Sequence, residues 1–555
     1  MEESMMDNMN GVMEIQNDGT KNKRIRIEIK DWLFNAGILG LYRILQHAEK
    51  EVQPNANYIE CDVSAFENFE NSFFQYFIDT YGKDNVWHKL TEFCQVNFDW
   101  DKLAETGEEK IKAFLDNFEK DLIKASLLTA YFIIANDKEV IKNKLAIIKD
   151  KTVSALEKLQ KIKEIYDFFM EHKAIIQAKY TSYQVINLYW EGVSFLNKQQ
   201  VGLNMFGLYK KDFVDPFARF LTPETKKAPY GNCMICNREV NKKSDASQGL
   251  SWLKMDLDSA RKTSAYWNHQ LDINICPVCN LVYSCIPAGF VTFKRKGIFI
   301  NDNSGSARLI GINAVLVAGM ENIKNMESLE EITYTHIINL IQKMRDENQK
   351  KEIANIQVIK IDGDKGYSFN LLSKQVLQVI EKSKKELDFL AERYDVFLDN
   401  KTRMNLYKEV IERIYRNIDL YPLIYMLLAM GLRKKKKDGA VDALFKINMN
   451  FIGGQMSDKK IFVMKQMGLN LKKGYKEEEN KINGIAYRLL NYLKTKNING
   501  FMDVIINCHM HIGKEIPTLF VECIDDVERF QAYGYAFLLG FTGEEYKSEA
   551  KTVNA

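Results

Sequence analysis

The chain has 555 residues, 46% of them hydrophobic, with eight prolines, thirty glycines and nine cysteines. This composition excludes a linker-rich, collagen-like or disordered protein and leaves room for more than one buried core. The formal net charge is +3; residues 404–555 hold 23 Lys+Arg against 18 Asp+Glu, and residues 1–403 net −2, so the basic surplus lies in the C-terminal quarter but is too small by itself to prove nucleic-acid binding.

Residues 1–20 are polar and acidic, without the apolar segment of a secretory signal. The strongly apolar run 423–432 is about half as long as a spanning helix. We therefore expect a soluble cytoplasmic protein with no membrane partner. In that compartment, nine cysteines argue for metal ligation or free thiols rather than a disulfide framework.

In chain order, residues 31–45 read as a helix whose Gly37 and Gly40 allow close packing. Residues 58–63 read as a strand and 65–81 as a helix. From 102 to 189 apolar residues recur at three- and four-residue spacing, the helical pattern. The stretch 197–225 mixes Gly, Gln, Asn and aromatics and predicts loops and short elements. Strand-like runs follow at 290–293, 297–300 and 353–361, the last ending in hairpin-turn chemistry at 362–366. Beyond 371 the pattern is almost wholly helical. The expected fold class is α+β: an N-terminal α+β region (1–228), a four-cysteine zinc module with an insertion (229–289), a β-rich remainder (290–370), and a C-terminal helical bundle (371–555).

Two Cys-x-x-Cys turns, Cys233/Cys236 and Cys276/Cys279, are the most specific signal. Each turn points two thiolates at one centre, and two turns supply the tetrahedral sulfur set that zinc prefers. The long gap between the turns implies an inserted subdomain. Four sulfur ligands leave no open coordination position, so the expected Zn2+ is structural. Four reduced thiols, or two redox dithiols, are the plainer reading. Cys285 reads as a spare buried thiol.

No catalytic assembly is evident. There is no P-loop, no H-E-x-x-H and no G-x-S-x-G motif, and no histidine is followed by aspartate. Cys508, His509 and His511 cluster in sequence, but on a helix the two imidazoles point in different directions. Asp362 and Asp364 read as a turn. The expectation is a protein that is not an enzyme.

Candidate nucleic-acid contacts are cationic. Arg433, Lys434, Lys435, Lys436 and Lys437 form a run between two apolar segments, suited to phosphates but blind to sequence. Lys294, Arg295 and Lys296 fall in a hairpin. Arg261 and Lys262, near Tyr266, Trp267 and His269, combine cations with stackable rings inside the insertion. Gln199, Gln200 and Asn204 offer amides that can read base edges. A solvated surface is the bland alternative for each.

The run Asp31-Trp-Leu-Phe-Asn-Ala-Gly-Ile-Leu-Gly-Leu41, the paired knuckles and the closing run Gln531-Ala-Tyr-Gly-Tyr-Ala-Phe-Leu-Leu-Gly540, taken together and in that order, resemble the CXXC–CXXC family of CRISPR-associated proteins. The resemblance implies the large subunit of the type I-B, Cascade-type interference complex. That role would be non-catalytic: recognising the protospacer-adjacent motif (PAM) in double-stranded target DNA beside crRNA-bound backbone subunits, and docking the helicase–nuclease, while guide pairing reads the rest. The alternative is a free-standing zinc-containing nucleic-acid enzyme such as a divergent nuclease; a third reading is a zinc scaffold that does not touch DNA. Some systems of this type make a helical small subunit by restarting translation inside the large-subunit gene. Met404, which opens a basic stretch of plausible domain size, is the candidate start for small subunits made from this chain's own C-terminal region.

Overall fold

The computed structural model describes residues 15–17, 23–101, 107–222, 231–240, 247–248, 252–254, 274–318, 356–363, 365–372, 374–391, 395–397, 403–434, 439–452, 458–475 and 478–543. The fold is mixed α/β with a cysteine cluster in its middle and a helical C-terminal region. Among the described residues no helix is long and apolar enough to cross a membrane. The chain divides into two compact units, Met1–Lys324 with Gln357–Phe369, and Asn325–Ile356 with Asn370–Ala555.

The first unit opens with β1 (Ile15–Asn17), β2 (Lys23–Glu28), α1 (Trp32–His47), β3 (Val52–Pro54) and β4 (Tyr58–Asp62). The strands form an antiparallel sheet in the order β1-β2-β4-β3. Ile25 opposite Cys61 and Ile27 opposite Ile59 turn the same face inward, the two-residue period of a half-buried strand. Asp31 starts α1 by accepting from the Leu33 and Phe34 amides at 2.9 and 3.2 Å, the usual N-cap arrangement. In the next turn the buried Asn35 amide donates to Asn301 and Asn303 at 2.9 and 2.7 Å.

The expected helix over 65–81 is interrupted. Val63–Phe66 is a 3-10 turn, Asn68 takes a left-handed φ of 55°, and α2 runs over Phe69–Tyr81. Next come α3 (Val86–Asn97), α4 (Glu108–Leu122), α5 (Ala125–Ala135), α6 (Val140–Lys149), α7 (Ala155–Glu171) and α8 (Lys173–Gln184). From α3 to the start of α8 they share their own core around Phe114, Tyr131 and Ile162. The stretch 197–225, expected to hold loops and short elements, has turns up to Asn204 and then short elements that join into a run of helix: α9 (Met205–Tyr209), a π segment (Lys210–Val214) and α10 (Asp215–Leu221). Met205, Leu208, Tyr209, Phe213, Phe217 and Leu221 are buried. Their helical spacing outweighs the neighbouring Gly and Asn that suggested loops.

The unit is completed by β5 (Gly231–Asn232), β6 (Glu239–Val240), β7 (Ser247–Gln248), β8 (Asn274–Ile275), α11 (Pro277–Ser284), α12 (Ile286–Gly289), β9 (Val291–Phe293), β10 (Lys296–Asn301), α13 (Ser306–Ala318), β11 (Ile356–Asp362) and β12 (Gly366–Leu372). A second four-stranded sheet has the order β12-β11-β10-β9.

The second unit contains α14 (Lys374–Lys382), α15 (Lys384–Ala391), the hairpin β13 (Asp395–Phe397) and β14 (Arg403–Asn405), α16 (Leu406–Tyr415), α17 (Tyr421–Lys434), α18 (Ala440–Ile452), α19 (Asp458–Gly474), α20 (Glu479–Lys494), α21 (Ile498–Ile512), α22 (Thr518–Val521) and α23 (Val527–Thr542). The hairpin departs from the expected run of helix: Met404 lies in β14, opposite Val396. From Phe530 to Phe541 every residue of α23 is buried, as in a helix enclosed on all sides. It packs on α19 and α20.

Candidate metal centre and nucleic-acid contacts

The first knuckle is a tight hairpin. β5 pairs with β6, the Cys233 amide donates to the Arg238 carbonyl at 2.8 Å, and the Asn237 amide donates to the Cys233 carbonyl at 2.8 Å. Asn237 takes φ 57° to turn the chain back. The second knuckle is a helix start. Cys276 is the N-cap of α11, Pro277 occupies the first turn, where a missing N–H does no harm, and Cys279 sits one turn in. The Met234 amide donates to the Asn274 carbonyl at 3.0 Å, stitching one knuckle to the other.

The four Sγ atoms lie within 4.8 Å of one another, and all four cysteines are buried. Cys236 and Cys276 place their sulfurs 3.5 Å apart. Tetrahedral sulfurs at the usual Zn–S length of ~2.3 Å are separated by roughly 3.8 Å. Backbone amides also face the sulfurs: Cys276 N donates to Cys233 Sγ at 3.3 Å and Cys279 N to Cys276 Sγ at 3.5 Å. Hydrogen bonds from Cys236, Cys276 and Cys279 hold the Cys233 thiol far below its ordinary range. Hydrogen bonding to Cys233 and its other neighbours, with burial, pushes Cys279 well above it. A buried cluster of this kind cannot hold four negative charges without a cation; a divalent ion would supply it. The donor set fits a closed four-sulfur site, and these four residues are the ones that could hold the metal.

Cys285 stands apart. Its Sγ contacts the Leu281 carbonyl at 3.3 Å, and complete burial pushes the thiol up to about 12.

Helix α1 positions the second knuckle. A Cβ on Gly37 would stand 2.4 Å from the Val282 carbonyl oxygen, one on Gly40 1.9 Å from that of Cys285, and one on Gly289 1.9 Å from that of Ala36. Only glycine permits such backbone-to-backbone contact. Arg43 completes the dock by donating to the Ala288 and Gly289 carbonyls, each at 2.9 Å, where α12 ends. Sequence reasoning missed Arg43; its signal was a cation three residues beyond Gly40. The knuckles belong to the same hydrophobic core as α1 and α2. The insertion is anchored there too: Leu253 bridges to Trp190, and Trp252 packs edge-on against the Trp190 ring at 5.5 Å.

The predicted nucleic-acid contacts fall in separate places. Lys294 and Arg295 form the β9–β10 turn, both exposed and both at positive φ, 43° and 60°. Lys296 begins β10 opposite Asp362. The Arg295 carbonyl accepts from Gly363 at 3.0 Å, so the tips of two hairpins lie together. Gln199 is exposed and Gln200 half-buried in one turn. Asn204 is committed locally, capping α9 through the Phe206 amide at 3.0 Å. Arg433 and Lys434 are exposed in the last turn of α17, so the basic run begins on the helix rather than in a loop. Arg261, Lys262, Lys435, Lys436 and Lys437 lie outside the described residues, as do Asp364, Tyr266, Trp267 and His269. His509 is buried on the Ile505 carbonyl at 2.9 Å, whereas exposed His511 meets Glu478 at 3.1 Å.

No curated protein and no solved structure matches the chain significantly. A family model does: residues 226–291 match the one described as CRISPR-associated protein (Cas_CXXC_CXXC). The matched segment contains both knuckles and the helices that α1 receives, and it supports placing this chain among the CRISPR-associated proteins.

Proposed function

We propose that this chain is the non-catalytic large subunit of a type I-B, Cascade-type RNA-guided complex. In that complex it contributes to PAM recognition and target DNA binding, beside crRNA-bound backbone subunits, and docks the helicase–nuclease. The observation that carries the reading is the closed, buried four-cysteine centre inside the segment matched to the CRISPR-associated family. A sulfur-saturated zinc holds structure and leaves no site for an activated water. A second support is the β9–β10 tip. Two non-glycine residues in left-handed conformation are sterically unfavourable, and such turns favour Asn-Gly. Lys294 and Arg295 hold that geometry at an exposed tip, which suits contact with phosphates.

The C-terminal unit is the source of any small subunit in this reading. A product starting at Met404 would lose β13, α14 and α15, which carry the buried Val379, Ile380, Leu387 and Leu390; α14 and α15 pack on α16 and α18. A product retaining those helices is the more stable one. Expression of the gene with a C-terminal tag, followed by mass spectrometry of any short product, reads the start directly.

The decisive experiment is co-expression with the neighbouring genes and a CRISPR array. Co-purification with guide RNA and backbone subunits, together with PAM-dependent binding of duplex DNA, is the expected result. A chain that purifies alone and cleaves nucleic acid, with activity lost on a point mutation in this chain, would establish the nuclease alternative instead.

A further inference from the structure

The second unit holds a cleft of about 560 Å3 between α20 and α21, lined among others by Tyr475, Lys481, Arg488, Asn507, Cys508 and His511. Its volume lies within the ~300–1,000 Å3 typical of ligand sites. Lys481, Arg488, Asn507 and His511 are exposed, whereas Cys508 is buried. The Tyr475 and His511 rings are stacked, centroids 5.3 Å apart at 27°. Glu478 bridges two of the lining side chains, accepting from Lys481 Nζ at 2.8 Å and meeting His511 Nε2 at 3.1 Å. Among the described residues no carboxylate pairs with Arg488.

We propose that this cleft binds a phosphodiester of a single nucleic-acid strand. Arg488 offers a planar, permanently charged fork suited to phosphate oxygens. Lys481 and the Asn507 amide add donors around it. Tyr475 is buried beneath His511, and the exposed His511 ring offers a stacking face to an unpaired base, which a duplex would hide. Glu478 holds Lys481 and His511 in place while the cleft is empty, and a bound phosphate competes for the same two groups. The inference deepens the proposed function by naming a strand contact in the C-terminal unit. Its test needs only the full chain, so it can fail while the subunit assignment stands, and the reverse.

Full-length protein is titrated into a fluorescein-labelled single-stranded oligonucleotide over a range of salt. K481A/R488A, changed only at exposed positions, is expected to keep its thermal transitions and to bind roughly tenfold more weakly. Its salt slope should fall by about 0.7 for each phosphate contact removed. Glu478→Gln should tighten binding by removing a competing charge. The proposal is overturned by a parent chain that does not bind the oligonucleotide at low salt, by a double variant that binds like the parent, or by weaker binding of Glu478→Gln. Displacement of the strand by an equal phosphate concentration of a mononucleotide would likewise overturn it, marking the cleft as a nucleotide pocket.

Discussion

Among the described residues, each unit contains one helix crossing in which glycines bring backbones into contact. In the first, Gly37, Gly40 and Gly289 bring α1 against α11 and α12, with would-be Cβ atoms 1.9–2.4 Å from carbonyl oxygens. In the second, Gly468 of α19 and Gly540 of α23 do the same, at 1.9 Å from the Phe537 oxygen and 1.8 Å from the Lys465 oxygen. The second crossing has no metal ligand set among the described residues; the first carries two of the four clustered cysteines, Cys276 and Cys279, at the start of α11. The comparison teaches that the proposed metal is not what brings helices together. Glycine contact and apolar burial suffice for that in α19 and α23. The first knuckle rides on strands of only two residues each, which bury too little to hold themselves. A cation held by the four sulfurs would add a tie between that hairpin and the docked α11 beyond the Met234–Asn274 hydrogen bond.

The largest effect should come from breaking the cluster. Cys276→Ser should remove the single zinc expected per chain and lower the stability of the first unit by several kcal/mol, because metal binding is coupled to folding. Elemental analysis and calorimetry read both. Zinc-free wild type with an unchanged transition would contradict the metal assignment.

Next come Gly40→Ala and Gly540→Ala. In an isolated helix each would gain up to ~1 kcal/mol. Against a carbonyl at under 2 Å the overlap should dominate, for a net loss of about 2 kcal/mol or more. Denaturation of each variant tests whether the two crossings are equivalent. A stabilised Gly540→Ala would show that only the metal-bearing crossing is tight.

Arg43→Ala should cost about 1–3 kcal/mol by leaving the Gly289 carbonyl unmet and that of Ala288 to the Tyr76 hydroxyl alone, at 3.4 Å. Gly540→Ala should leave zinc retention during chelator challenge unchanged, whereas Arg43→Ala should speed zinc loss.

A smaller effect is expected at Lys179. Its ammonium is buried and donates to the Val201 carbonyl at 3.0 Å, and desolvation lowers its pKa to about 8. The unfolded chain keeps that proton to about 10.4, so between those values it binds more protons and the stability contribution of this group rises with pH. Any advantage of Lys179→Met over the parent should therefore shrink from pH 7 to pH 10, by roughly 2–3 kcal/mol. An advantage independent of pH would mean that the buried lysine keeps its proton as firmly as it does in the unfolded chain.

The smallest stability effects belong to the basic sites. Lys294→Ala with Arg295→Ala, and Arg433→Ala with Lys434→Ala, should stay within about 0.5 kcal/mol of the parent. In the assembled complex each pair should weaken duplex DNA binding at every sequence and reduce the salt slope by about 0.9 per lost contact. Loss of PAM discrimination at full affinity would show that these side chains read bases instead.

Much of this was legible in the residues. The cysteine turns, the helix at Gly37 and Gly40, the β9–β10 hairpin and the helical C-terminal region follow from spacing alone. The break at Asn68, the helical run over 205–221, the hairpin at Met404 and the capping role of Asn204 did not. Over 205–221 the burial of apolar side chains selected helix, whereas a left-handed turn at Asn68, a short hairpin at Met404 and a local cap at Asn204 decided the others.

What the sequence by itself determined is what three or four consecutive residues can enforce. A Cys-x-x-Cys turn converges two sulfurs whatever surrounds it, and a Lys-Arg turn between two strands exposes its charges. The tertiary structure alone decided which turns meet and what supports them. Cys236 and Cys276 are 40 positions apart, and Arg43 reaches carbonyls 245 and 246 residues away. Such pairings depend on shape and burial across the whole unit, because backbone contact at glycine and the satisfaction of a helix end leave no periodic trace in the chain.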